Sequence, residues 1–267
     1  MKRKLIIFFI TILLPIYLFS YEYYSIKSLS MANSDLILNG ESDAIFYNPA
    51  SLSYIKKYSF SFNVNHLYPE LINNSIYLYN FSTSYNFKNY GVYAIGFYNF
   101  ISDNYFEKEF LLGYAYNSLS YVKVGITFKY DTYEIKENSV TYGNGKSFNF
   151  SPGFIYHNKY LFLSFVIKNI KNFSFNEAIP DLEIFYSYSG FDFIGGVSYN
   201  NIIINYKFGI KKILNKNIIF RAGINRNLIT SGFTLKYKDI NFDYSIEYNL
   251  NITDILAMQK CGIRVNL

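Results

Sequence analysis

From residue 58 onward the chain alternates. Ile240, Phe242, Tyr244, Ile246, Tyr248 and Leu250 share one face, and Asn241, Asp243, Ser245, Glu247, Asn249 and Asn251 share the other. Tyr121 to Asp131 repeats the pattern, with Val122, Val124, Ile126, Phe128 and Tyr130 set against Lys123, Gly125, Thr127, Lys129 and Asp131. Ile202 to Lys211 and Cys261 to Leu267 do the same. A period of two held over ten residues means extended strands, whose successive side chains point to opposite faces. A helix would show a 3.6 period, and none of useful length follows residue 57.

About fourteen such segments can be traced, approximately 58–68, 74–87, 90–100, 106–117, 120–133, 147–157, 159–170, 181–190, 191–200, 201–211, 217–227, 229–238, 240–250 and 258–267. The boundaries are least distinct at 87–106 and 181–200. Short turns of Asn, Lys, Asp and Gly separate the segments, as at Asn200-Asn201, Asn215-Lys216-Asn217 and Lys238-Asp239. Turns this brief join antiparallel neighbours.

Segment length separates two architectures. Strands of soluble sheets average ~5–6 residues, whereas strands tilted through an outer membrane need ~9–11. The segments here are of the longer kind. Their apolar face is crowded with aromatics, the chain holding 30 Tyr and 27 Phe and no Trp. A/T-rich codons would supply many of these residues, but codon usage does not order them at a period of two. The other face carries Lys123, Lys129, Asp131, Lys207, Arg221, Lys236, Asp243, Glu247 and Arg264, the lining expected of a polar lumen. The expected fold is all-β, a transmembrane antiparallel barrel of 12 to 14 strands. A soluble secreted sandwich or lipid-binding barrel is the competitor.

Composition removes other classes. With 51% apolar residues the chain is not disordered, and its single cysteine, Cys261, excludes an internal disulfide framework. Charged residues are only 16%, against roughly 25% in soluble domains.

Lys2, Arg3 and Lys4 precede an apolar run from Leu5 to Phe19, with Ser20 at a suitable cleavage position. Residues 1–20 have the layout of a cleaved signal peptide. An uncleaved anchor is the alternative, but Pro15 interrupts a run that is already short for a span. Three of the basic residues behind the net charge of +6 lie in this leader, so the basic balance is a weak argument for nucleic acid, and no basic cluster supports it.

Residues 21–57 do not alternate. Asn48-Pro49 marks a turn with Asn held extended. Irregular backbone facing lipid would leave polar groups unpaired, so this segment is expected inside the barrel or at its periplasmic mouth, as a plug preceding the barrel of residues 58–267.

The run Asp43-Ala44-Ile45-Phe46-Tyr47-Asn48-Pro49-Ala50, placed between leader and first strand, resembles the FadL-like outer-membrane proteins, and more narrowly the branch containing PorV and PorQ. His66-Leu67-Tyr68, Phe148 to Tyr156, Ile167-Lys168-Asn169 and Ile179-Pro180-Asp181-Leu182 add to the likeness. The resemblance implies a fourteen-strand barrel with an N-terminal hatch, in which Asp43, Phe46, Asn48, Pro49 and Ala50 form the hatch motif. FadL members pass fatty acids or other hydrophobic compounds through a lumen and a lateral opening, while PorV-type members are partners in protein secretion or surface display. The implied partners are outer-membrane lipids, the barrel-assembly machinery, and either hydrophobic small molecules or secreted proteins.

Fourteen strands of ~11 residues leave about four residues per connection. The longest candidate loop is Glu134 to Lys146. Material for long ligand-capturing outer loops is lacking, which favours a minimal barrel over a dedicated high-affinity transporter.

Chemistry-bearing patterns are sparse. The histidines are His66 and His157. An outer-membrane hydrolase would need one of them oriented by a carboxylate, with Glu70 and Asn63 the neighbours available to His66. A pore-mouth or interface role is the simpler expectation. No motif offers a metal site, a cofactor or a catalytic centre, and Tyr142 to Lys146 lacks the strand–helix setting of a phosphate loop. Cys261 is expected on the lipid face as a small apolar residue. Gly195-Gly196 and the pair Pro152, Gly153 are candidate wall kinks, Pro152 because it lacks an N–H for the ladder. Such a kink reads either as ordinary barrel curvature or as a place where a hydrophobic ligand leaves sideways.

Overall fold

In the computed structural model the described residues are 25–34, 40–67, 76–137, 140–158, 161–171, 174, 178–200, 203–250 and 258–267. Residues 1–20, expected from the sequence to be a leader, Glu70 and the turn residue Asn201 lie outside them.

The strands are β1 (Tyr58–Leu67), β2 (Ile76–Asn86), β3 (Val92–Ile101), β4 (Tyr105–Leu119), β5 (Val122–Glu137), β6 (Val140–His157) and β7 (Leu161–Lys168). There follow the two-residue β8 (Ile170–Lys171), β9 (Ile179–Tyr188), β10 (Phe191–Asn200), β11 (Ile203–Asn215), β12 (Ile218–Asn225), β13 (Leu228–Tyr237), β14 (Ile240–Asn249) and β15 (Met258–Asn266). The long strands pair antiparallel in sequence order, with β9 following β7, and the last pairs with the first from Ser59↔Asn266 to His66↔Gln259. The result is a closed ring of fourteen strands, with β8 an extra stub against β6. Closure removes the unpaired edges an open sheet would present to lipid.

Alternation becomes inside and outside. In β14 Phe242 is 52% exposed on the outer wall while Asp243 is 6% exposed inside. Cys261 faces outward. Aromatics pack side by side along the outer wall, as in the chain Tyr85–Phe87–Tyr93–Tyr114, with ring centroids 4.7, 5.4 and 5.1 Å apart.

The ambiguous stretches resolve into tight turns. A 3-10 turn at Lys88–Tyr90 ends at Gly91, φ +91°. Ser189 and Gly190, both at positive φ, form the two-residue connection between β9 and β10, as the twist of a hairpin favours. One expectation is corrected. Glu134 to Lys146 is not a loop: β5 and β6 stay paired through Glu134↔Asn144 to Glu137↔Val140, with one register shift after Ile135. Tyr133 lies across Gly145, covering the residue that suggested a loop.

The β6–β7 seam is irregular. It runs from His157↔Phe162 to Gly153↔Val166, then resumes at Phe150↔Ile170 one residue out of register. Asn169, at φ +57°, is the extra residue, and its N–H donates to Ser151 Oγ at 3.1 Å. The β5–β6 ladder passes unbroken through Ile126↔Pro152. The disturbance therefore falls on the side where a proline's missing N–H leaves the neighbour unpaired. The bulge lies on the strand facing Pro152 rather than on the strand that contains it.

Candidate functional site: the N-terminal segment and the inner wall

Residues 25–34 and 40–57 contact inward-facing residues around the ring. They fold as a short helix, α1 (Ile26–Leu29), and two 3-10 turns, Ser42–Phe46 and Pro49–Tyr54. Asp43, Phe46, Asn48, Pro49 and Ala50 are all buried. Asn48 is extended, at φ −121° and ψ 104°, as the following proline demands. Its Oδ1 accepts from the Ala50 N–H at 3.0 Å, capping the turn that Pro49 begins. Its Nδ2 donates to Ser164 Oγ of β7 at 2.6 Å.

The wall makes room with glycine. A Cβ on Gly125 would sit 2.5 Å from the Pro49 carbonyl carbon, and one on Gly153 would collide with the Asn48 amide. Across the lumen, Gly223 leaves space for the Met31–Ala32 backbone and Gly262 for Ile26. Gly153 thus acts less as a kink than as a seat. Gly196 gives space to the side chains of Glu183 and Lys207.

Polar contacts complete the fit. Ser82 Oγ donates to Asp43 Oδ1 at 2.9 Å, Asn63 Nδ2 to Asp43 Oδ2 at 3.3 Å, and Thr127 Oγ1 to the Ile45 carbonyl at 2.9 Å. On the far side the Ala32 N–H reaches Thr230 Oγ1 at 3.1 Å and Lys207 Nζ the Asn33 carbonyl at 3.1 Å.

The charged lining is largely self-neutralising. Lys207 lies 2.8 Å from Asp181 and also pairs with Glu183, while Lys168 lies 3.2 Å from Asp181. Lys260 and Glu247 meet at 2.8 Å with both side chains fully buried. Arg264 lies 3.1 Å from Asp243 and pairs with Glu41, which also holds Lys27. Burial pushes the Lys27 amine down to about 7, against the opposing pull of Glu41 and with help from Arg264. Burial likewise raises the Asp43 carboxyl above the usual carboxylate range, opposed by the Ser61 and Ser82 hydroxyls and by Arg264.

An apolar patch lies on the β2 to β4 side, next to a further buried ion pair in which Lys129 of β5 lies 3.3 Å from Glu109 of β4. Ile45, Phe46 and Leu52 pack on the inward side chains of β2 to β4, among them Leu78, Ala94, Leu111 and Ala115. Phe100 packs against this cluster and also against a second one, Leu67, Leu228 and Met258. Beside the β6–β7 seam, the apolar Ile45, Phe46 and Leu111 together with the charged Glu109, Lys129 and Lys168, and with Ser151 and Asn169, border a cavity of about 10 Å³, room for about one water molecule.

The histidines are separated. His66 faces outward and stacks on Tyr77 at 4.6 Å, whereas Asn63 faces inward. His157 lies inside, 5.6 Å from the Tyr54 ring and 5.3 Å from Phe162. Neither is shown oriented by a carboxylate toward a nucleophile, and among the described residues no group of three His, Cys, Asp or Glu is placed to hold a metal ion.

Sequence reasoning placed the lining charges on the inner face but missed their partners Lys27, Glu41, Asp181 and Glu183. It also missed the glycine seats, whose signal was glycine recurring at inward positions such as Gly125, Gly209 and Gly262.

No protein-family model matches the sequence, and no curated protein matches it. Solved structures do. The Ralstonia pickettii toluene transporter TbuX superimposes with a TM-score of 0.67 at 9% identity, over 93% of this chain and 100% of that one. The Pseudomonas putida toluene transporter TodX gives 0.66 at 10% identity, over 91% and 96%. A Pseudomonas aeruginosa FadL homologue gives 0.61 at 9% identity, over 90% and 96%. The chain therefore shares the fold of these three proteins.

Proposed function

We propose that the protein is an outer-membrane barrel of FadL-like type that passes small hydrophobic molecules. Residues 1–20 are then a cleaved leader, 21–57 a hatch and 58–267 the wall. Strands are joined closely at the end carrying the C-terminus, as expected for the periplasmic side, whereas the strand ends set furthest apart in sequence, those of β1–β2, β7–β9 and β14–β15, lie at the other end. Insertion would proceed through the barrel-assembly machinery, with membrane lipids against the aromatic outer wall.

The observation that carries the reading is the broken β6–β7 seam directly beside the hatch tip. Two packed apolar clusters joined by Phe100 line the lumen toward the outer end, and a water-sized cavity bordered by Phe46 and Leu111 but also by Glu109, Lys129 and Lys168 lies at the seam, so passage would require these side chains to part. A small shift of Asn48 and Pro49 would connect lumen and bilayer between β6 and β7. TbuX and TodX are described as toluene transporters and CymD as a monoaromatic hydrocarbon channel. That supports a nonpolar solute of similar size.

One observation favours a second reading. Buried ion pairs occupy the inner wall from Lys129 with Glu109 to Lys260 with Glu247, which suits a barrel of PorV-like type acting as an anchor or partner for exported proteins. Uptake of radiolabelled toluene and of a long-chain fatty acid by cells expressing the full chain distinguishes the two. Accumulation above an empty-vector control, reduced in Pro152→Val, is expected. No accumulation of either compound would overturn transport and leave the partner role, to be tested by crosslinking.

A further inference from the structure

The inward faces of β11 to β15 hold a group of cations near the end of the barrel that carries the C-terminus. Lys211, Arg221, Lys236 and Arg264 stand there close to their strand ends, with Lys27 of α1 in the electrostatic field of Lys211, Arg221 and Arg264. Three carboxylates pair with them. Asp192 holds Lys211, Glu41 is shared by Lys27 and Arg264, and Asp243 is shared by Arg264 at 3.1 Å and Arg221 at 3.7 Å. Asp43 is also nearby but is hydrogen-bonded to Ser82 and Asn63. Lys236, half-buried, has no salt-bridge partner among the described residues; it lies in the fields of Arg264, Lys211 and Arg221 and in the opposing field of Glu41, which Lys27 and Arg264 already hold.

The arginines supply a second, independent observation. The Arg221 side chain is fully buried, yet only its Nη2 is hydrogen-bonded, to Thr234 Oγ1. Its Nε and Nη1, and Nε of Arg264, are buried with no partner among the described residues. A guanidinium keeps its charge at any ordinary pH, so burial with unused donors is unfavourable unless an acceptor completes the shell. Elsewhere in the lumen Lys207 and Lys168 are held by Asp181 and Lys260 by Glu247. The unmet donors and the unpaired ammonium thus coincide at one mouth.

We propose that Arg221, Arg264 and Lys236 form a binding site for a phosphate-type oxyanion beneath α1. A tetrahedral anion offers acceptors to several donors at once and offsets the excess positive charge, which chloride does less well. This inference is independent of the solute proposed above. The anion is either free phosphate or the phosphomonoester headgroup of a lipid.

The test uses the purified full chain in a neutral detergent, with calorimetric titration at constant ionic strength. The probes are inorganic phosphate, potassium chloride, and mixed micelles containing lysophosphatidic acid. Saturable binding of phosphate but not chloride, weakened roughly tenfold or more in Lys236→Gln and in Arg221→Gln, is expected for free phosphate. Saturation only with lysophosphatidic acid, weakened in the same variants, would assign the headgroup as the source. Lys236→Gln, at a half-buried position, remains informative if Arg221→Gln does not fold. Binding equal to that of chloride, or unchanged in Lys236→Gln, would overturn the site.

Discussion

Asn48 in the N-terminal segment and Ser164 in β7 are joined by a hydrogen bond of 2.6 Å between Nδ2 and Oγ. The bond reaches the strand on the far side of the irregular seam, while the backbone beside Asn48 rests on Gly125 of β5. The Asn48–Pro49 turn therefore touches three neighbouring strands, the Asn48 side chain reaching β6 at Gly153 and β7 at Ser164 and the turn's backbone reaching β5.

Asn48→Ala removes this bond and the cap to the Ala50 N–H. Each loss at a buried site is worth about 1–3 kcal/mol, so the hatch should open locally without loss of the barrel. Hydrogen exchange should quicken at residues 40–57 and stay unchanged in β12 to β14. Equal protection of residues 40–57 in both proteins would refute this role.

Gly125→Ala places a methyl 2.5 Å from Pro49, whereas Gly195→Ala meets nothing nearer than Phe208 at 3.8 Å. The first should unseat the hatch and the second should not. Both should still migrate as folded barrels on unheated gels. Limited proteolysis checks the difference, and identical cleavage of the two variants would contradict it.

Lys27 makes seating of the hatch depend on pH. Its amine is held near 7 in the folded state by burial, below the ordinary 10.5. Between these values the unfolded chain binds the extra proton, so seating should strengthen as pH rises through that window. Asp43 acts oppositely at lower pH. Its raised carboxyl favours the protonated folded form, a contribution lost as pH climbs through the folded value. Protease resistance of the hatch measured from pH 6 to 10 should rise in the parent and flatten in Lys27→Met. A parent profile that falls over this range would be the wrong sign.

Pro152→Val restores an N–H opposite the bulge at Asn169. If the proline maintains the irregular seam, the variant should protect β7 amides more strongly and lower hydrocarbon uptake while the fold is kept. Unchanged exchange in β7 would mean that the bulge is set by Asn169 rather than by the proline.

The period of two was enough to place the strands and to sort Phe242 from Asp243, because strand geometry sends neighbouring residues to opposite faces whatever the rest of the chain does. Strand length and the aromatic outer face carried the choice of a membrane barrel. Asn48-Pro49 was legible as a turn because proline restricts its predecessor locally. What that turn touches was not legible: Asn48 and Ser164 lie 116 positions apart, and Glu41 and Arg264 lie 223 apart. No local pattern encodes which inward residues converge once a ring closes. Ring closure alone decided that Gly125 and Gly153 meet the Asn48–Pro49 turn, which charges of the inner wall pair across strands, and that the register shift falls on the β7 side of Pro152. Glu134 to Lys146 went the other way, because its glycines suggested a loop while pairing with the opposite strand, and Tyr133 lying over Gly145, kept it extended.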